Sequence, residues 1–60
     1  MSNLSQVEVN SIRECVCNHI TISSKLACYA NKVCDSEIKE MFKTSSVKAE
    51  QAAQKLIQLL

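Results

Sequence analysis

The strongest constraint in this sequence is the spacing of its apolar side chains, which alternates between three and four residues in both halves. In the first half the repeating positions are Val9, Ile12, Val16, His19, Ser23, Leu26, Ala30 and Val33. In the second half they are Ile38, Met41 or Phe42, Ser45, Ala49, Ala52, Leu56 and Leu59. This alternation places side chains on the side of an α-helix that packs against other helices. The sequence therefore predicts two long helices, each with an apolar stripe.

The absence of certain residue types also favours helices. The chain has no glycine and no proline, and its only aromatic residues are Tyr29 and Phe42. Tight β-turns depend on glycine and proline, so a sheet built from hairpins lacks the residues that its turns require. An all-α fold is the class that this composition allows.

The ends of the helices are predicted by their capping residues. Ser5 and Glu8 have the S-x-x-E spacing of a capping box, so we expect helix one to begin there. Asp35 suits the N-cap of a second helix, and Glu37 adds a favourable charge to its first turn. We therefore predict helix one over about 5–33 and helix two over about 36–59, joined as an antiparallel hairpin within one domain, 1–60.

A hairpin of 60 residues has too little core to be stable alone. A chain of this length buries only ~60% of the surface that it exposes when unfolded. We therefore predict a homodimer, or a higher homo-oligomer, in which two hairpins form a ferritin-like four-helix bundle. The predicted dimer core consists of Val9, Ile12, Val16, His19, Ile20, Ser23, Leu26, Phe42, Ser45, Ala49, Ala52, Leu56 and Leu59.

The middle of this predicted core is small and polar, and it has two interpretations. In the first, His19 is a structural imidazole hydrogen-bonded to Ser23 or, across the bundle, to Ser45, since buried polar groups need partners. In the second, the bundle binds a metal ion or a small ligand through His19, Cys15 and Cys17 at the dimer core, because imidazole and thiolate are common metal ligands. The first predicts no metal and no cofactor.

The four cysteines are predicted to be reduced and mainly to serve as small packing residues. Cys15 and Cys17 point to nearly opposite sides of a helix, and Cys17 and Cys28 lie three turns apart, too far for a disulfide. Cys34 falls in the predicted connection, so we expect it to be an exposed thiol that is available for crosslinking.

Charge and hydropathy exclude several classes of function. The net charge is +1 and the basic residues are scattered, which argues against nucleic-acid binding. No run approaches the ~20 apolar residues of a membrane span. The segment Met1–Glu14 lacks a basic region followed by an apolar run, so we expect no signal peptide and synthesis in the cytoplasm. No nucleophile, base and acid share a face, so we do not expect an enzyme.

Three runs of residues resemble one protein family. Lys25–Asn31 (KLACYAN) and Asp35–Phe42 (DSEIKEMF) together resemble the pattern K-x-x-x-Y-A-x-x…D-P-E-[LI]-K-x-x-F of the coat protein F family of bacterial spore formers. The final run, Gln51–Leu60, resembles the last turns of that family, so the resemblance covers nearly the whole chain. Ser36 stands where relatives often have proline, and both residues suit the first turn of a helix.

This resemblance implies a structural protein of the spore coat, with itself and other coat proteins as partners. The family is ferritin-like, and metal-binding branches of that superfamily carry a Glu on the first helix of each half and E-x-x-H on the second. Matching Asp35 and Phe42 to the family places the E-x-x-H positions at Ala49 and Ala52, and the first Glu within 19–23. The resemblance thus implies a half-bundle whose di-metal site has been lost.

Overall fold

Two α-helices joined as an antiparallel hairpin make up the computed structural model, which describes residues 3–60. Helix α1 spans Gln6–Lys32 and helix α2 spans Ser36–Ile57, and the described residues contain no strand. The predicted all-α hairpin is therefore confirmed. Met1 and Ser2, which the predicted domain includes, lie outside the described residues.

The N-terminus of α1 is held by the predicted capping box. The Ser5 hydroxyl accepts a hydrogen bond from the Glu8 amide at 3.1 Å, and the Glu8 carboxylate accepts one from the Ser5 amide at 3.0 Å. Hydrogen bonding of the Glu8 carboxylate to the backbone amide of Ser5, and then to the Ser5 side chain, lowers the pKa of Glu8 from its ordinary value of 4.5. Because each bond satisfies an amide that has no partner within the helix, the box fixes where α1 begins.

The connection between the helices has three residues, Val33 to Asp35. The amide of Val33 donates to the Tyr29 carbonyl at 3.2 Å and ends α1. The Asp35 carboxylate accepts from the Ile38 amide at 3.0 Å, which makes Asp35 the N-cap of α2, as predicted. A link this short leaves the two helices no arrangement other than side by side and antiparallel.

Small side chains allow the helices to pack closely. Among the described residues, only Val16, Ala30 and Ala53 are buried, with exposed fractions of 8%, 2% and 2%. Near the connection, the rings of Tyr29 and Phe42 meet edge to face with their centroids 5.6 Å apart, a favourable arrangement for an aromatic pair. The core of the hairpin is therefore a thin line between α1 and α2.

Two hydrogen bonds between the helices fix how they align. The Ser46 hydroxyl donates to the carbonyl of Ser23 at 2.8 Å, and the Lys39 ammonium donates to the carbonyl of Ala30 at 2.6 Å. In both pairs the two residue numbers add to 69. Residue n of α1 therefore lies roughly level with residue 69 − n of α2.

The hairpin is too extended to enclose a globular core. Its radius of gyration is 14.2 Å, whereas a compact domain of 60 residues would have about 10 Å. Its accessible surface is 4649 Å², compared with about 3,900 Å² for a folded monomer of 6.7 kDa. The excess follows from the thin, elongated shape of the hairpin, 47 × 14 × 9 Å.

Candidate functional site

One broad side of the hairpin is apolar and uncovered. Near the connection it contains a shallow groove of about 210 Å³, which is lined by Leu26, Ile38, Met41, Phe42 and Ser45. Leu26 is on α1 and the other four residues are on α2. The groove therefore identifies the residues of each helix that face this side of the hairpin. Met41 is 68% exposed and Ile38 is 45% exposed, although both are large and apolar.

We call this side of the hairpin the open face. Residues three or four positions from those lining the groove lie on the same side of their helix. The open face is made of Cys15, His19, Ile22, Leu26, Tyr29, Ile38, Met41, Ser45, Ala49, Ala52, Leu56 and Leu59. None of these residues is charged, but Glu37 and Glu40 lie beside Met41 at the edge of this face. Its large side chains lie toward the two ends, and its small ones lie on α2 near the middle.

The rest of the hairpin surface is mixed in character. The outer side of α2 has charged and polar groups around Val47, among them Glu40, Lys43 and Lys48. Glu40 and Lys43 form an exposed ion pair at 3.8 Å, which contributes little to stability. Charged side chains thus surround the open face and reach its edge beside Met41.

The residues predicted for a dimer core differ in how far each is buried within the single hairpin. Val16 is buried against α2. Nine are half-buried, namely Val9, Ile12, His19, Ser23, Leu26, Phe42, Ala49, Ala52 and Leu56. Ile20, Ser45 and Leu59 are exposed. Ser45 and Leu59 belong to the open face, whereas Ile20 lies on the opposite edge of α1 from Ile22.

A thiol and an imidazole meet on the open face. The Cys15 sulfur lies 3.5 Å from Nδ1 of His19, and both residues are half-buried. The same Nδ1 lies 2.8 Å from the carbonyl oxygen of Cys15. Because a carbonyl oxygen can only accept, Nδ1 carries the proton in this hydrogen bond. In this tautomer the lone pair of the ring is on Nε2, which can bind a cation.

This geometry corrects the predicted partners of His19. Neither Ser23 nor Ser45 bonds to the imidazole, which turns back to the carbonyl one turn earlier in α1. The Ser23 hydroxyl bonds instead to the carbonyl of Ile20, at 3.0 Å. A polar side chain four residues after a carbonyl can reach it without crossing the bundle. The spacing of Cys15 and His19 is the sequence signal that could have revealed their contact.

The two helices are joined by Ser46, a serine that the predicted dimer core does not include. Ser46 is half-buried and bonds to the Ser23 carbonyl, whereas Ser45 is exposed on the open face. The heptad pattern places Ser45 in the predicted dimer core. The helices instead meet slightly to one side of that stripe, and this small rotation brings the next residue into contact.

All four cysteines are free thiols. Cys15 is half-buried, and Cys17, Cys28 and Cys34 are exposed. Cys34 lies in the connection between the helices, at the tip of the hairpin, as the predicted crosslinking thiol should. Cys17 lies two residues from Cys15 and faces away from it, so the two thiols of the alternative metal site do not come together within one chain.

Within residues 3–60 no group of three or more metal-ligating side chains comes together in a single chain. Over the same range, neither helix is both long enough and apolar enough to cross a membrane. No family model, no curated protein and no solved structure matches this chain. The resemblance to the coat protein F family therefore stays a prediction.

Proposed function

We propose that this chain is a non-enzymatic structural module that assembles as a homodimeric four-helix bundle through its open face. The observation that carries the proposal is the exposure of large apolar side chains on that face. Ile22 and Tyr29 on α1 are 49% and 46% exposed, and Met41 on α2 is 68% exposed. Apolar surface of this extent on a small protein marks an interaction site.

The open face is large enough for a stable interface. The Cα atoms of the hairpin extend 47 × 14 × 9 Å, so its broad side has about 660 Å² of flat area before the relief of the side chains is counted. Stable interfaces bury ~800 Å² per partner. A second hairpin laid on this side would complete a four-helix bundle, with the open face of each copy as its core.

A second copy is the partner that this face fits best. Burial of an unpaired charge is costly, so the apolar middle of this face favours a partner surface that is also apolar. The open face of another copy meets that condition and has the same length. The net charge of +1 leaves little electrostatic repulsion between copies. The module thus needs only itself to cover its apolar side.

The resemblance to the coat protein F family suggests where such a module would act. We propose that it is made in the cytoplasm and enters the spore coat, where it would contact other coat proteins. Cys34 at the tip of the hairpin supports this proposal, because an exposed thiol outside the apolar core can crosslink neighbouring molecules without disturbing the bundle.

The solution mass tests the assembly. Light scattering on protein kept in reductant and chelator should give twice the 6.7 kDa of one chain, because the open face requires neither disulfides nor metal to be covered. A monomer under these conditions would contradict the proposal. The location is tested separately, by expressing a tagged chain in a sporulating bacterium and separating coat from core. A chain that remains with the soluble contents of the mother cell would rule out the coat.

A second candidate function, a small metal-binding bundle, is favoured by one observation. The contact between Cys15 and His19 brings two metal-ligating side chains together on the open face. Two ligands do not make a site, so this function depends on what a second copy adds.

A further inference from the structure

We propose that Cys15 and His19 are half of a zinc site, which two copies of the chain complete as a Cys₂His₂ centre in the core of the dimer. The proposal rests on the proposed homodimer, because one chain supplies only two of the four ligands. It differs from a ferritin-like di-metal site in its ligands, its single ion and its position on α1.

The two side chains have the chemistry of zinc ligands and lie on the same side of α1. Tetrahedral zinc binds sulfur at ~2.3 Å and nitrogen at ~2.0–2.1 Å, which sets two such ligand atoms about 3.6 Å apart. Cys15 and His19 are one helical turn apart, and the sulfur lies 3.5 Å from Nδ1 of His19, the nitrogen that donates to the Cys15 carbonyl. The sulfur must turn from Nδ1 toward Nε2 for both ligand atoms to reach one ion.

The imidazole is held as metal-binding imidazoles usually are. Ligating histidines donate their second ring N–H to a carbonyl or carboxylate, which fixes the tautomer and the orientation of the ring. In His19 the Nδ1–H donates to the Cys15 carbonyl at 2.8 Å and leaves Nε2 as the ligand atom. This carbonyl is the backbone carbonyl of Cys15, the other proposed ligand residue. The orientation of the His19 ring is therefore set within α1 alone.

The surroundings leave room for an ion. The alignment set by Ser46 and Lys39 puts the turn from Cys15 to His19 roughly level with the segment 50–54 of α2. On the open face, α2 contributes only the methyl groups of Ala49 and Ala52 near this level. Larger side chains occupy the bundle centre toward either end, so this is the layer in which an ion fits.

The charges of the proposed site balance. Each Cys15 thiol loses its proton on binding, so one Zn²⁺ takes up two thiolates and two neutral imidazoles, and two protons pass to solvent. The centre is then neutral overall, which suits the apolar middle of the open face. Four protein ligands leave no open position on the ion, so the site would be structural and not catalytic.

The site also selects how the two hairpins dock. If the connections of both hairpins lie at the same end of the bundle, each residue lies at the same height as its counterpart in the other copy. The Cys15 and His19 side chains of the two copies then lie at one height, on opposite sides of the twofold axis. The two α1 helices are then diagonal to each other, with α2 of each copy against α1 of the other. We take this parallel arrangement as part of the proposal.

Cobalt and zinc titration tests the site on the full chain, reduced and freed of chelator. Co²⁺ should bind to saturation at one ion per two chains, with the absorption band of a cobalt–thiolate bond, and Zn²⁺ should displace it. Cys15→Ser and His19→Gln should lose this binding, whereas the matched controls Cys17→Ser and Cys28→Ser should keep it. Cys15→His preserves four ligands, so it should retain the stoichiometry and lose the thiolate band. Circular dichroism on each variant checks that the helices remain.

Light scattering on the same samples separates the two proposals. A dimer that binds one ion per two chains through Cys15 and His19 supports both. A dimer with no saturable binding, or with binding that Cys15→Ser leaves unchanged, overturns the zinc site and leaves the homodimer intact. A chain that is monomeric both with zinc and with chelator overturns the homodimer and the site together. A monomer in chelator that becomes a dimer with zinc supports the site and contradicts assembly by the open face alone.

Discussion

The hydroxyl of Ser46 donates a hydrogen bond of 2.8 Å to the backbone carbonyl of Ser23 and thereby joins the middle of α2 to the middle of α1. Together with the bond from Lys39 to Ala30, it aligns the two helices. A hydrogen bond of this kind contributes about 0.5–1.5 kcal/mol to stability.

Ser46→Ala should therefore destabilise the hairpin by about 0.5–1.5 kcal/mol relative to Ser24→Ala. Ser24 is an exposed serine on α1, so the two substitutions share the same gain in helix propensity and differ in the lost bond. Urea denaturation at one fixed protein concentration measures the difference, since the stability of a dimer depends on concentration. Equal stabilities would mean that the bond from Ser46 contributes nothing.

Enlarging Ala53 should overpack the contact between the helices. Ala53 is 2% exposed, so Ala53→Leu would push α1 and α2 apart or force strained side chains, at a cost of about 1–3 kcal/mol. Ala27→Leu is the control, because Ala27 is exposed on α1. Thermal unfolding compares the two. If Ala53→Leu melts at or above the temperature of the parent, a cavity must lie beside Ala53.

A charge on the open face should prevent dimerisation. Met41→Glu places a carboxylate where the second copy would bury it, so we expect a monomer by light scattering. Val47→Glu adds the same charge to the outer side of α2, where Val47 is 52% exposed among polar residues, and should remain a dimer. Dimers from both variants would show that the open face is not the interface.

The capping box should make the first turn of α1 sensitive to acid. The bonds from Ser5 lower the pKa of Glu8 in the folded chain, so the folded form holds the proton less tightly than the unfolded form. The stabilisation that the Glu8 carboxylate gives to the capping box is fully present above the ordinary pKa of 4.5 and is lost as the pH falls through the lowered pKa. The protection of the first-turn amides against exchange, relative to the rate of an unstructured peptide at the same pH, should fall over that range. Glu8→Gln should abolish this dependence, and Glu14→Gln should leave it unchanged.

Crosslinking through Cys34 distinguishes the two ways in which the hairpins can dock. In a variant with Cys17→Ser and Cys28→Ser, a short bis-maleimide should join two chains covalently, while the solution mass stays that of the dimer. This outcome follows if both connections lie at the same end of the bundle. If the connections lie at opposite ends, the reagent can link only separate dimers, and the mass will rise in multiples. Adding Cys34→Ser to this variant should remove the crosslink in either case.

Much of the fold could be predicted because it depends on local interactions. Ser5 and Asp35 cap the two helices through hydrogen bonds to amides three residues away, and such bonds follow from spacing alone. The hairpin follows from the short connection between them. The exposure of Cys34 follows from its place in that connection.

The candidate site was less predictable, because its contacts depend on rotations that spacing does not specify. Neighbouring residues on a helix differ by ~100° in direction, so a slight turn of α2 exchanges Ser45 for Ser46 in the contact between helices. The ring of His19 had several partners within reach, and its bond to the Cys15 carbonyl depends on the side-chain rotamer.

The sequence by itself thus determined the two helices, their ends, their antiparallel pairing and the surplus of apolar surface. The tertiary structure decided which side of the hairpin is open, which serine joins the helices, and that a thiol and an imidazole meet on the open face. The first set rests on hydrogen bonds and spacing within a few residues of the chain. The second depends on how two helices rotate against each other, which only their packed side chains fix.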